Sequence, residues 1–183
     1  MKWETRILAF DDAPFDKKDS DCLVVGVFYR GGYFMDGVVS TRVKVDGVDA
    51  AKQLVRLVRN TKFVPRVLMF KGVAFAGFNV VDFGLLYKRT GIPVIVVSRD
   101  DPLTYTLVPT LEKLGFSKQL RIAKALPLPV TFKNIWFQCF GLSDENAREI
   151  LRITIKHSDI PEPLRIAHLI AQGVVFGESR GSA

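Results

Sequence analysis

The sequence predicts a mixed α/β fold, and three observations support this prediction. Residues 67–70 and 93–97 are short apolar runs typical of strands buried on both faces, and the segment between them has helical spacing. Three more strand-like runs, at 6–10, 22–29 and 33–45, precede this βαβ unit. Hydrophobic residues make up 48% of the 183 residues, which is enough for a sizeable core.

The first three strands should form an antiparallel meander, because a polar loop and the Gly31-Gly32 turn join them. Asp46 or Asp49 then caps a helix that carries an apolar stripe. In the βαβ unit we expect Asn79 to cap the helix and Gly91 to end it. Its two strands should be parallel, with a right-handed crossover.

The second half of the chain predicts further helices and one more strand. Asp101-Pro102 has the character of a helix start, and residues 117–126 form a short basic helix. Residues 130–140 predict a strand at the sheet edge, and two helices follow it. We expect a single domain over 1–183, with a core at about 5–116, a C-terminal strand and helices at about 117–176, and a frayed tail at 177–183.

The charge balance favours an acidic partner. Lys and Arg total 26 against 19 Asp and Glu, a net charge of +7, and nucleic acid is the commonest such partner. Cys22 and Cys139 are too few and too far apart for a zinc site, and they read as core residues in a reducing compartment. The sequence shows no signal peptide and no apolar run of membrane-spanning length, which predicts a cytoplasmic protein without a membrane partner.

Candidate site residues follow the predicted strands, where α/β sheets place their sites. Asp11 and Asp12 end the first strand, and Lys71 ends the fourth. The two acids are open to two interpretations, as metal ligands or as a pair that caps amides and neutralises Lys71. Gly72, Gly77 and Asn79 either shape a loop that approaches phosphate or form a tight turn with an N-cap. We interpret His157 and His168 as structural or surface histidines.

Three stretches resemble a known superfamily: AFDDAPF at 9–15, VLMFKGVAFAGFNVVDFG at 67–84 and TGIPVIVVSRDDP at 90–102. They are similar to endonuclease V, and more closely to an uncharacterised, mainly archaeal branch of that superfamily with a GFNVVD-type signature, here at 77–82. The resemblance implies a ribonuclease H-like fold: a mixed five-stranded sheet of order 3-2-1-4-5 flanked by helices, with a C-terminal helical extension.

Endonuclease V cuts nucleic acid with a divalent metal held by carboxylates, so the resemblance also implies site residues. The first metal ligand matches Asp11, with Asp12 close by, and the second falls near Asp46, with Asp49 as an alternative. The acid that should end the fourth strand is Lys71 here, which offers no lone pair to a metal. We therefore expect at most weak binding of Mg²⁺ or Mn²⁺.

The basic residue after the fifth strand falls near Arg99, and the resemblance places it among the nucleic-acid-binding residues with Lys71, Gly72, Gly77 and Asn79. The leading hypothesis is a nucleic-acid-binding relative of endonuclease V whose nuclease activity is weakened or lost. The alternatives are an active metal-dependent endonuclease on DNA or RNA and a non-enzymatic interaction scaffold. No haem or nucleotide cofactor is expected, and the oligomeric state stays open.

Overall fold

A computed structural model describes residues 4–101 and 107–180 of the chain. One seven-stranded sheet forms its centre, and a two-stranded hairpin stands apart from that sheet. The strands are β1 Arg6–Asp12, β2 Asp21–Arg30, β3 Phe34–Lys44, β4 Val67–Lys71, β5 Ala74–Phe75, β6 Asn79–Val80, β7 Val94–Ser98, β8 Val130–Phe132 and β9 Ile135–Phe140. The helices are α1 Ala50–Asn60, α2 Phe83–Thr90, α3 Leu107–Leu114, α4 Ser117–Lys124, α5 Asp144–Thr154 and α6 Glu162–Phe176.

The predicted strand order is confirmed, because the sheet runs β3-β2-β1-β4-β7-β9-β8. Strands β1, β2 and β3 form the antiparallel meander, whereas β1, β4 and β7 are parallel neighbours. Phe10 of β1 lies opposite Phe70 of β4, so these two strands end side by side. The carboxyl ends of β1, β4 and β7 therefore meet at one edge of the sheet.

The segment at 130–140 differs from its prediction as a single edge strand. It forms a hairpin of β8 and β9, and its turn contains Lys133 with a positive φ of 51°. Strand β9 pairs antiparallel with β7, so β8 is the edge strand and the sheet has seven strands where five were expected. The sequence did not indicate this turn, because neither Lys133 nor Asn134 is a glycine or proline.

Helices cover both faces of the sheet, and each face has its own core. On one face, side chains such as Leu54 of α1, Phe70 of β4 and Phe83 of α2 pack together. On the other face, Met69 of β4 packs with residues such as Leu164 of α6. A strand that alternates its side chains between two buried faces needs a continuous apolar sequence, which is why β1, β4 and β7 carry one.

The start of α2 also differs from its prediction. Asp82, not Asn79, is its N-cap, and the Asp82 carboxylate accepts the Leu85 N–H at 2.8 Å. Gly91 ends the helix in the left-handed region, as predicted. The predicted helix start at Asp101-Pro102 extends outside the described residues. No helix within 4–101 or 107–180 combines the length and apolar character needed to cross a membrane.

Candidate functional site

A pocket of about 420 Å³ lies where β1, β4 and β7 end. Its lining includes five of the predicted site residues: Asp11, Asp12, Lys71, Gly72 and Arg99. Arg99 directly follows β7. His168 of α6 and the two acids Asp100 and Asp101 also line it. The parallel register of β1 and β4 brings Asp11 and Lys71 together, as the sequence predicted.

Asp11 is the centre of this pocket and is only 4% exposed. Its Oδ2 atom lies 3.3 Å from Lys71 Nζ and 2.7 Å from His168 Nδ1. Its Oδ1 atom accepts the backbone N–H of Asp12 at 3.1 Å. A buried carboxylate requires such partners, because losing water without compensation is costly. Lys71 and His168 thus hold the Asp11 carboxylate in place.

The hydrogen bonds around His168 indicate which ring nitrogen carries the proton. Gln172 Oε1 accepts the Arg180 backbone N–H at 2.7 Å, so the amide nitrogen of Gln172 faces His168 Nε2 at 3.1 Å. Because an amide N–H needs an acceptor, we assign the proton of the neutral ring to Nδ1, which donates to Asp11; Lys71 Nζ, 3.2 Å from Nδ1, then donates to Asp11 and not to the ring. Gln172 therefore fixes the orientation of His168, as outer hydrogen-bond partners commonly do.

Asp12 has a different environment from its neighbour. Its Oδ2 atom accepts the backbone N–H of Ala76 at 2.8 Å. Burial raises the pKa of Asp12 to about 6, and the adjacent Asp11 adds to the increase, while the Ala76 N–H and Lys71 act against it. A carboxyl group with that pKa holds a proton part of the time near neutral pH, and it can accept or donate one.

The other predicted site residues, Asp46, Gly77 and Asn79, form a second cluster outside the pocket. Asp46 Oδ1 accepts the Phe78 backbone N–H at 2.9 Å, and the Asp46 N–H donates to the Ala76 carbonyl at the same distance. Gly77 has a φ of 81°, and a Cβ at this position would collide with the Asp46 carboxylate. Asp46 therefore does not join Asp11 and Asp12 in a three-acid group.

Asn79 is completely buried and connects this second cluster to α1. Its side-chain oxygen accepts the N–H of Ala50, the first residue of that helix, at 3.1 Å. Its amide nitrogen donates to the Lys44 carbonyl and to Asp49 Oδ1, each at 2.8 Å. The prediction that Asn79 caps α2 is thus wrong, because its side chain reaches α1 across the β5–β6 hairpin.

The interpretation of His168 as a structural or surface histidine missed its place in the pocket, where its ring contacts both Asp11 and Lys71. His168 lies 157 positions from Asp11 along the chain, and no local motif marks it. The one available signal is its place on α6 beside the buried positions Leu164 and Ala167.

The pocket fits a divalent metal poorly. Mg²⁺ requires near-octahedral oxygen ligands, but Asp11 Oδ2 already binds Lys71 and His168, and Asp12 Oδ2 binds the Ala76 N–H. Within residues 4–101 and 107–180, no three acidic, histidine or cysteine side chains are grouped to hold a metal ion. The ammonium of Lys71 supplies the positive charge beside Asp11 instead.

Comparison with known proteins identifies the relatives of this chain. A family model described as endonuclease dU matches residues 3–175. A UPF0215 protein from Methanothermobacter thermautotrophicus is 43% identical over an alignment of 192 positions that covers 100% of this chain and 94% of the relative. A UPF0215 protein from Thermococcus gammatolerans is 39% identical and is covered over 96% of its length.

Two solved structures place the fold. A protein of unknown function from Archaeoglobus fulgidus has a TM-score of 0.85 at 32% identity, covering 95% of this chain and 98% of that one. Endonuclease V from Ciona intestinalis, solved with a 24mer DNA that contains inosine followed by a ribo-adenosine, has a TM-score of 0.59 at 17% identity, with coverage of 89% and 82%. The second similarity shows a shared ribonuclease H-like fold.

The family model spans nearly the whole described structure, from the first strand through the helix that carries His168. The two archaeal relatives are similar to this chain over 94% and 96% of their own lengths. This chain belongs to the endonuclease dU family, an archaeal branch with the fold of endonuclease V.

Proposed function

We propose that this protein binds nucleic acid at the pocket beside Asp11 and Lys71, and that its metal-dependent nuclease activity is weakened or lost. The observation that carries this proposal is the 3.3 Å contact between Lys71 Nζ and Asp11 Oδ2. An ammonium at this distance repels a metal cation and offers it no lone pair. The family and the fold support nucleic acid as the partner.

Lys71 and Arg99 are the cationic residues that line the pocket, and they are the candidates to contact phosphate. Gly72, which follows Lys71, has a φ of 77°, and no described residue lies within 4 Å of the position that a Cβ would take. Because glycine has no side chain, a nucleic-acid strand can approach the backbone closely at this open position. Asp12, with its pKa of about 6, is the group in this pocket best suited to exchange a proton near neutral pH.

A second candidate function is an active endonuclease that acts on deoxyuridine-containing nucleic acid, as the family description suggests. One observation favours it: within the part of the chain that the structure describes, four aspartates and two cationic side chains, Lys71 and Arg99, line the pocket, which gives a net charge of −2 with His168 neutral. A phosphate group entering such a pocket gains from an additional cation or from a proton on Asp12. Divalent ions would then bind together with the nucleic acid.

Metal titration of Lys71→Asp tests the proposed role of the lysine. The wild type should bind Mn²⁺ weakly in calorimetry, whereas the variant, with a third carboxylate beside Asp11 in the pocket lining, should bind it at least tenfold more tightly. Lys88→Asp is the matched control, because Lys88 is exposed on α2 and the charge change is the same. Tight binding by the wild type, or no gain in a folded Lys71→Asp variant, contradicts the proposal.

Binding and cleavage of oligonucleotides then separate the candidate functions. Filter binding of DNA with and without deoxyuridine, and of RNA, should show affinity that falls steeply as salt rises. Lys71→Ala should weaken binding, while the control Lys88→Ala should have little effect. Cleavage of deoxyuridine-containing DNA with Mg²⁺ present supports the second candidate, and absence of binding at low salt favours an interaction scaffold.

A further inference from the structure

A second cavity, of about 600 Å³, lies at the opposite end of the sheet from the Asp11 pocket. Arginines from three adjacent strands line it: Arg6 begins β1, Arg30 ends β2 and Arg66 immediately precedes β4. Strand β1 has seven residues, so about 20 Å of sheet separates this cavity from the Asp11 pocket at the rise of a strand. The two cavities are therefore separate sites.

The strand register brings the three arginines together. Arg6 and Arg30 are directly opposite each other in the antiparallel pair of β1 and β2. The backbone N–H of Arg66 donates to the Arg6 carbonyl at 2.8 Å, which continues the row into β4. Like charges directly opposite each other on neighbouring strands are destabilising. An anion that binds to the arginines of this row reduces the repulsion between them.

Among the described residues, partners for the side chain are found for one of these three arginines. Arg30 pairs with Asp36 at 2.9 Å, and its guanidinium lies over the Phe34 ring. Arg6 and Arg66 have no side-chain hydrogen bond or ion pair with any residue in 4–101 or 107–180. Both side chains are exposed, so they are available to a ligand. Guanidinium groups bind phosphate and carboxylate in a bidentate geometry, which gives such a site specificity.

The remaining lining of the cavity is apolar, with Val67, Leu142 and Ile150 among its residues. A cavity of about 600 Å³ is within the usual range for small organic ligands and is far larger than a single inorganic anion requires. Among the described residues Glu4 also lines it and Asp36 already pairs with Arg30, so Arg6 and Arg66 against Glu4 leave a net charge of +1. A phosphate monoester has a charge of about −1.5 to −2 at neutral pH, so it is attracted to this cavity.

We propose that this arginine-lined cavity binds a phosphate monoester attached to an apolar or aromatic group, with Arg6 and Arg66 as its principal phosphate ligands. The phosphate belongs either to a free small molecule or to the end of a nucleic-acid strand, since both present the same dianion. The site lies outside the Asp11 pocket, so it does not depend on the function proposed for that pocket.

Calorimetric titration of the full chain with dUMP, with uridine and with inorganic phosphate tests the site. We expect dUMP to bind, uridine to show no binding, and inorganic phosphate to bind at least tenfold more weakly than dUMP. The double variant R6A/R66A should weaken dUMP binding at least tenfold. The control K52A/K88A removes two exposed charges from α1 and α2 and should leave the affinity unchanged.

Amide chemical shifts show where the ligand binds. Addition of dUMP should perturb Leu142 and Ile150 and leave Lys71 and Gly72 unperturbed. Comparison of an oligonucleotide with a 5′-phosphate and the same strand with a 5′-hydroxyl identifies the phosphate source: shifts at Leu142 with the phosphorylated strand alone assign the site to strand ends, and shifts with dUMP alone assign it to a free ligand. No binding of either phosphate, or equal loss of affinity in K52A/K88A, overturns the proposal.

Discussion

The side chains of the consecutive residues Asp11 and Asp12 lie on opposite faces of the sheet. Alternation along β1 directs Asp11 to the face that α6 covers, where it meets His168, and directs Asp12 towards the β5–β6 hairpin and Ala76. Asp11 gains a cation and a ring N–H there, whereas Asp12 gains one backbone N–H. The two carboxylates therefore differ chemically: Asp11 is paired with a cation, whereas Asp12 has the raised pKa.

The raised pKa of Asp12 predicts how stability depends on pH. Between pH 3.8 and about 6 the folded protein keeps a proton on Asp12 that the unfolded chain has lost, so stability falls as pH rises through this range. Asp12→Asn removes that penalty. We expect the variant to be more stable than the wild type at pH 8, by at most about 3 kcal/mol, and equally stable below pH 4.

Urea unfolding at pH 4 and pH 8 measures this difference in the free energy of unfolding. Glu145→Gln is the control, because Glu145 is an exposed acid on α5 and should change stability little at either pH. An Asp12→Asn variant that is destabilised at pH 8 would show that the ionised carboxylate is favourable in the folded protein, contrary to this prediction.

Gln172 should control the protonation of the His168 ring. In the wild type, nitrogen NMR at pH 8 should show that Nδ1 of His168 is protonated and Nε2 is unprotonated, as the contacts to Asp11 and Gln172 require. Gln172→Ala removes the donor to Nε2, so a mixture of the two tautomers should result. His157 in the same spectra is the internal control. An unchanged His168 tautomer in the variant would mean that Asp11 alone determines it.

The sequence allowed part of this site to be predicted. Asp11 and Lys71 end apolar runs in parallel strands, and the topology of the sheet places such ends side by side. His168 was not predictable in this way, because its position depends on how α6 packs against β1 and β2. Packing of a helix on a sheet is a tertiary property that no spacing within the helix reveals.

At the scale of elements, the GFNVVD segment at 77–82 contacts three parts of the fold: the loop after β3, α1 and α2. Gly77 leaves room for the Asp46 carboxylate, Asn79 binds the first turn of α1, and Asp82 caps α2. Ala76, next to this segment, donates its N–H to Asp12 and accepts the N–H of Asp46. The residue that precedes the segment thus holds the Asp12 carboxylate of the pocket through its backbone N–H.

Replacement of Asn79 by alanine should therefore be strongly destabilising. The change leaves the buried Ala50 N–H without its acceptor, while the Lys44 carbonyl keeps only the Gly47 N–H. An unsatisfied buried group costs about 1–3 kcal/mol, so we expect a loss of about 1–3 kcal/mol in the free energy of unfolding. Urea denaturation measures it, with Asn60→Ala at the exposed end of α1 as the control. Equal effects of the two substitutions would contradict the role given to Asn79.

At the scale of the whole molecule, strand order was predictable and the extension of the sheet was not. Apolar runs and turn residues define the meander and the βαβ unit, and rules on chain connection leave few ways to arrange them. The β8–β9 hairpin turns at Lys133 without a glycine or proline, so its run resembles one long strand. The pairing of β9 with β7 is a long-range contact that local pattern does not encode.

The predicted single domain remains to be tested, and α6 offers the means. Its residue Leu164 is fully buried, and it packs in one cluster with Ile7 and Ala9 of β1, more than 150 positions earlier in the chain. A helix that shares its core with the first strand should unfold together with it. Leu164→Ala should therefore lower the free energy of unfolding by about 2–5 kcal/mol without separating the transition into two steps.

Leu54→Ala in α1 is the matched variant, because Leu54 is equally buried in the core on the other face of the sheet. We expect far-UV and near-UV circular dichroism to give coincident unfolding curves for the wild type and for both variants. Two separate transitions in Leu164→Ala, with the first confined to the C-terminal helices, would instead mean that residues beyond about 117 form an independently folding unit. In that case His168 would be joined to Asp11 across a domain boundary, and the pocket would be lost before the central sheet unfolds.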